Sequence, residues 1–149
     1  MTALYNEHDP EEEDKMSFSL LDFVRESNLI EGIKHTAPSE LMAHEMILKL
    51  EQPTLNDLSA FVAICQPGAV LRAGGRKIRD DLESFLSGIG HTNWTPWRAH
   101  CFYETLRPYT DGNGRSGRVI WLWMMGGIEN APLGFLPHFY YQTLEETRK

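Results

Sequence analysis

Residues 119–125, Val-Ile-Trp-Leu-Trp-Met-Met, are apolar without interruption. An element apolar on every side cannot lie on a surface, so this run belongs at the centre of a core with other elements packed round it. It is too short for periodicity to separate a buried helix from a buried strand. Gly126 and Gly127 end it. Directly before it stands a segment of opposite character, Asp111-Gly112-Asn113-Gly114-Arg115-Ser116-Gly117-Arg118. A glycine-rich, charged loop is therefore tied to the middle of the core.

The flanking sequence predicts helices. Ser17 or Ser19 can cap one that carries Leu20, Leu21, Phe23 and Val24, runs to about Ile30 and stops at Gly32. Pro38-Ser39-Glu40 opens a second, with Leu41, Met42, Met46, Ile47 and Leu50 at helical spacing. Thr54 caps a third through Ile64, broken by Pro67-Gly68. A further helix is expected over 80–87. Another opens at Pro96 and is terminated by Pro108, and a short last one is expected near 138–148. Residues 70–78, with Gly74-Gly75 in the middle, read as the one strand candidate, a small β-hairpin. Residues 1–16 are acidic, polar and interrupted by Pro10, which predicts a loose tail; 17–149 form a single domain. The expected fold class is all-α with a small β-hairpin.

A chain of 149 residues is long enough for a real core. Its formal charge of -7 opposes sequence-independent nucleic-acid binding, so no nucleic-acid partner is expected. The cations are clustered at Arg72, Arg76, Lys77 and Arg79, and again at Arg107, Arg115 and Arg118. Such clustering serves an anionic ligand or is ordinary solvated surface; spacing does not decide. Cys65 and Cys101 fit no metal or disulfide pattern and read as buried small hydrophobes. No segment is apolar enough to span a membrane, and the acidic N-terminus is unlike a signal peptide. The expected location is the cytoplasm, with export by a route that needs no such signal left open.

In the loop, Gly112 and Gly114 flank Asn113 and permit backbone angles closed to other residues. Successive amides can then face one concavity, a nest for anions. A helix starting there adds its dipole and its free N–H groups. Arg115 brings a fork suited to phosphate oxygens, and Arg118 follows on nearly the same face. Asp111 offers a hard carboxylate for Mg²⁺ shared with phosphates. The plain alternative is a turn, since Asp-Gly and Asn-Gly are common turn pairs, but a turn does not explain two arginines at the entrance to a buried element.

Pro108-x-x-Asp111-Gly112-Asn113-Gly114-Arg115-x-x-Arg118 resembles the signature of the Fic/Doc (Fido) family, H-P-F-x-[DE]-G-N-G-R-x-x-R, with Tyr109 in the aromatic position. The run from His100 to Leu106 looks like the helix leading into that signature, which would span 107–118. Residues 70–78 look like the family's target-docking flap. Tyr140, Tyr141 and Leu144 look like its closing helix. Ser27-Asn28-Leu29-Ile30-Glu31-Gly32 is similar to the inhibitory pattern [ST]-x-x-x-E-[GN], which would make 17–32 an inhibitory helix. The resemblance implies a protein of AMP-transferase ancestry, a scaffold for protein adenylylation (AMPylation), that binds ATP with Mg²⁺. Asp111 would hold the metal. Gly112, Asn113, Gly114 and Arg115 would contact the phosphates. Arg118 would bind the terminal phosphate or pair with Glu31, and a protein target would dock at 70–78.

Beyond the conservative Tyr109, one departure from the family is decisive. Its catalytic histidine falls on Arg107. That histidine takes the proton from a target hydroxyl before it attacks ATP. A guanidinium stays protonated at physiological pH and cannot do so. His100 sits about two helical turns back, roughly 10 Å along the axis, and reads as a structural histidine. The expected function is therefore a nucleotide-binding Fic-type protein whose transfer to hydroxyls is lost or altered. Two alternatives stay open. One is an enzyme with changed chemistry, in which Arg107 orients a phosphate or carboxylate acceptor or Glu31 positions a water to remove AMP. The other is a non-catalytic interaction or inhibitor module that docks a partner through the hairpin.

Overall fold

The computed structural model describes residues 18–73, 76–91 and 94–131. Among these the fold is helical: α1 (Leu20–Ile30), α2 (Pro38–Leu48), α3 (Leu55–Cys65), α4 (Arg76–Gly88), α5 (Pro96–Leu106), α6 (Asn113–Met125) and a 3₁₀ turn at Ile128–Asn130. The acidic tail and the expected helix at 138–148, with Tyr140, Tyr141 and Leu144, lie outside the described residues.

Local chemistry starts each helix where the sequence places it. Ser19 caps α1: its Oγ accepts from Asp22 N (3.2 Å), and Asp22 Oδ2 accepts in return from Ser19 N (3.0 Å). Thr54 and Asp57 repeat that exchange at α3. These reciprocal bonds satisfy donors that a helix start leaves open. Pro38 and Pro96 occupy first-turn positions that need no N–H. Gly112 (φ 80°) and Gly126 (φ 92°) bound α6 in left-handed conformations that a side chain would oppose.

The apolar run is helical, and α6 is the axis of the fold. Val119, Ile120, Trp121 and Leu122 are buried all round, packed among α1, α2, α3 and α5. Burial relaxes after Leu122, so Trp123, Met124 and Met125 are half-buried. The main core joins α2 to α6 through Ile47, Leu58, Phe61, Leu82, Tyr103 and Ile120. A second cluster seats α1 on the C-terminal half of α6, with Phe23 stacked on Trp121 at 6.4 Å. The α5–α6 contact is close because position 117 is glycine: a methyl there would lie 3.0 Å from both Tyr103 Cδ2 and Glu104 Oε2.

The expected hairpin over 70–78 is not what these residues form. Arg76, Lys77 and Ile78 open α4 rather than a return strand, and Gly74 and Gly75 lie outside the described residues. Ile78, Leu82, Phe85 and Leu86 are all buried. Their spacing unites them on one face only in a helix, and that face outweighs the turn signal of the glycines. Residues 70–72 instead run antiparallel to 108–110. Leu71 bridges Tyr109, Arg72 N donates to Pro108 O (2.8 Å) and Thr110 N to Val70 O (2.8 Å). Among the described residues no helix is long and apolar enough to cross a membrane.

Candidate functional site

Chain direction changes between α5 and α6, and the glycine-rich loop lies at that corner. Its backbone is held by its own side chains. Asn113 Oδ1 accepts from Tyr109 N (2.9 Å) and its Nδ2 donates to Tyr109 O (2.8 Å). Ser116 Oγ donates to Gly112 O (2.8 Å) and lies 2.8 Å from the Tyr103 hydroxyl. The Tyr109 hydroxyl meets Ser59 Oγ at 2.7 Å. Asn113, expected to cradle a ligand, thus spends its side chain on the shape of the loop. The amides of Asn113, Gly114 and Arg115 form the first turn of α6 and have no acceptor among the described residues. That leaves a row of donors at the positive end of the helix dipole.

A cleft of about 390 Å³ opens over these amides, within the size range of small-ligand pockets. It is lined by Glu31, Gln66, Glu104, Arg107 and Asp111 together with loop residues 112–115. Glu31 reaches Arg118, as the sequence pattern leads one to expect, and Ser27 reaches it too, a contact the sequence did not foretell. Arg118 is 1% exposed. Its Nε donates to Ser27 Oγ (2.7 Å), and its Nη2 donates to Ser27 O (3.0 Å) and Glu31 Oε2 (2.8 Å). Glu31 Oε2 also presses on Gly114, so closely that a Cβ there would overlap it. A carboxylate oxygen already sits at the entrance to α6.

Arg115, expected to contact the phosphates, is held by the protein itself. It lines the cleft, yet its guanidinium is buried and engaged: Nη1 lies 3.3 Å from Asn28 Oδ1 and 3.4 Å from Glu40 Oε2, and Nη2 donates to Gln66 Oε1 (2.6 Å). It ties together α1, α2 and the end of α3. The reason is geometric: the side chain emerges on the buried side of α6, where a charge must find partners or not be buried at all. Asn28, Glu40 and Gln66, like Glu104 on the cleft wall, carried no sequence signal of this role, except that Asn28 falls inside the Ser27–Glu31 pattern.

Asp111 is exposed at the cleft, with Oδ1 accepting from Gly112 N (2.8 Å). Among the described residues no group of three or more His, Cys, Asp and Glu side chains is placed to hold a metal. Asp111 offers a single carboxylate at the cleft. Arg107 caps α5 in the left-handed region (φ 46°, ψ 63°) and lines the same cleft. His100 is structural, as expected: it is buried, its Nδ1 donates to Gly117 O (3.2 Å), and burial pushes its pKa down to about 4. Burial does the same to His44, whose Nδ1 donates to Glu40 O (2.7 Å). Cys65 is also buried, its thiol pushed up to about 12 by desolvation; Cys101 is only partly buried.

Comparison with protein-family models, with curated proteins and with solved structures finds no match.

Proposed function

We propose that this chain is a Fic-type domain whose cleft binds the phosphates of a nucleotide, ATP with Mg²⁺, and that Glu31 holds the cleft closed to them. The observation that carries the reading is the Glu31 carboxylate, seated against Gly114 and 2.8 Å from Arg118 Nη2. A helix entrance with open amides attracts an anion, and here the chain supplies its own. Removing that carboxylate would clear the space over the amides and release Arg118 for a phosphate. The cleft wall adds Arg107, whose guanidinium forms no ion pair among the described residues. Asp111 would hold the Mg²⁺, which neutralises phosphate charge.

In this reading the site binds but does not perform the usual transfer. A hydroxyl attacking the α-phosphorus of ATP must lose its proton as pyrophosphate leaves. Arg107, at the position where the family keeps its base, cannot accept that proton. A protein partner would dock along 70–73. Val70 is 61% exposed. The pairing with 108–110 leaves the N–H and C=O of Leu71 directed away from that partner strand.

The test is a titration of isotope-labelled protein with Mg-ATP, followed amide by amide. The amides of Asn113, Gly114 and Arg115 are expected to shift first and most, and more readily in Glu31→Gly. Shifts confined to other surfaces would overturn the assignment.

A further inference from the structure

The turn that delivers Arg107 to the cleft is gripped by one residue from the neighbouring segment. Arg72 holds consecutive carbonyls at the end of α5: its Nη2 donates to Leu106 O (2.9 Å), its Nε to Arg107 O, and its backbone N–H to Pro108 O (2.8 Å). The last carbonyls of a helix have no intrahelical donor, and a cation there also meets the negative end of the dipole. Arg72 therefore acts as a cap supplied from outside the helix.

What it caps is unusual. Arg107 is the one non-glycine residue with positive φ among the described residues. Left-handed positions after a helix normally fall to Gly or Asn. Pro108 explains why α5 ends, because a residue before proline avoids the helical region, but that preference drives it toward extended backbone, not left-handed. Something else selects φ 46°, and such conformations persist only where surrounding bonds over-determine them. The Arg72 side chain provides those bonds on both sides of the Arg107 α-carbon, at the carbonyl before it and at its own.

We propose that Arg72 is a positioning residue for the cleft: by holding the 106–108 carbonyls it keeps Arg107 left-handed, with its guanidinium presented to the anionic group of the ligand. The 70–72 segment and the phosphate site are thereby joined through one turn. The inference rests on the reading of the cleft as a phosphate site, and two measurements separate the two ideas.

The first needs no ligand. The three-bond HN–Hα coupling of Arg107 reports its φ, and it is expected to change in Arg72→Gln while the thermal midpoint moves little. An unchanged coupling overturns the proposal. The second is a double-mutant cycle on Mg-ATP affinity in the Glu31→Gly form. Arg72→Gln and Arg107→Gly are each expected to weaken binding about tenfold, the size of one charge-assisted contact. Glycine accepts the left-handed geometry, so Arg107→Gly removes the guanidinium without straining the turn. Together the two changes are expected to cost no more than Arg107→Gly alone, and Arg72→Lys, which keeps the charge but reaches fewer carbonyls, to recover part of the loss. Losses that multiply would show that Arg72 acts by its own charge and would overturn the proposal. Absence of binding by the Glu31→Gly parent would overturn the phosphate reading instead, with the coupling measurement still deciding the geometry.

Discussion

Replacing Arg115 with methionine separates a structural arginine from a ligand-contacting one. The side chain is 3% exposed and lies 3.4 Å from Glu40, itself only 13% exposed. Taking one partner from a buried ion pair leaves the other charge desolvated and typically costs about 3–5 kcal/mol. The lower end applies here, because Glu40 Oε1 keeps hydrogen bonds from Asn28 Nδ2 (3.2 Å) and Ala37 N (2.9 Å). Loss of the 2.6 Å bond to Gln66 adds about 1 kcal/mol, which the apolar packing of methionine partly offsets. The net expectation for Arg115→Met is about 3 kcal/mol of lost stability, or a fall in Tm of roughly 10 °C for a chain of this size. Urea denaturation of both forms at pH 7.5 measures it, with Glu40→Gln as a milder variant expected to lose about half as much. A loss under about 1 kcal/mol would refute the argument that Arg115 is spent on holding α1, α2 and α3 to the loop.

The buried histidines make stability depend on pH. His44 and His100 titrate at about 4 in the fold against 6.5 unfolded, so the unfolded chain binds more protons between those values. The contribution is complete above pH 6.5 and is lost as pH falls toward 4. The pair is expected to cost about 3 kcal/mol between pH 7.5 and pH 5.5, and an unchanged urea midpoint over that interval would contradict it. For the chemistry, the Glu31→Gly form with Arg107 intact is expected to transfer no label from ATP to hydroxyls. Arg107→His in the same background is expected to regain transfer, at least onto itself, by the 10²–10⁴-fold that general-base assistance typically supplies. Robust labelling by the chain with Arg107 would show that the missing base does not matter.

The sequence was most legible where one short segment settles the outcome. Ser19 with Asp22, Thr54 with Asp57, Pro38 and Pro96 each start a helix by chemistry contained within a few residues. Glu31 and Arg118 lie together as expected, although 87 residues separate them in the chain. What stayed hidden depends on distant partners. Arg115 meets Gln66 and Glu40 across 49 and 75 residues, and no local pattern distinguishes a buried arginine from one facing a ligand. At 70–78 the glycine pair is a strong local turn signal, but the helical spacing of Ile78 with Leu82, Phe85 and Leu86 prevails. The actual pairing of 70–72 is with 108–110, far along the chain. Arg72 as a cap for α5 was invisible for the same reason.

Calorimetry with Mg-ATP on the unaltered chain and on Glu31→Gly tests the central claim most directly. Glu31 is 37% exposed and so not a deeply buried partner; releasing Arg118 and clearing the space over the loop amides is expected to raise affinity about tenfold, or about 1.4 kcal/mol. The account expects Glu31→Gly to bind in the micromolar range, roughly -8 kcal/mol, and the unaltered chain more weakly. Absence of binding by both forms at millimolar Mg-ATP would contradict it.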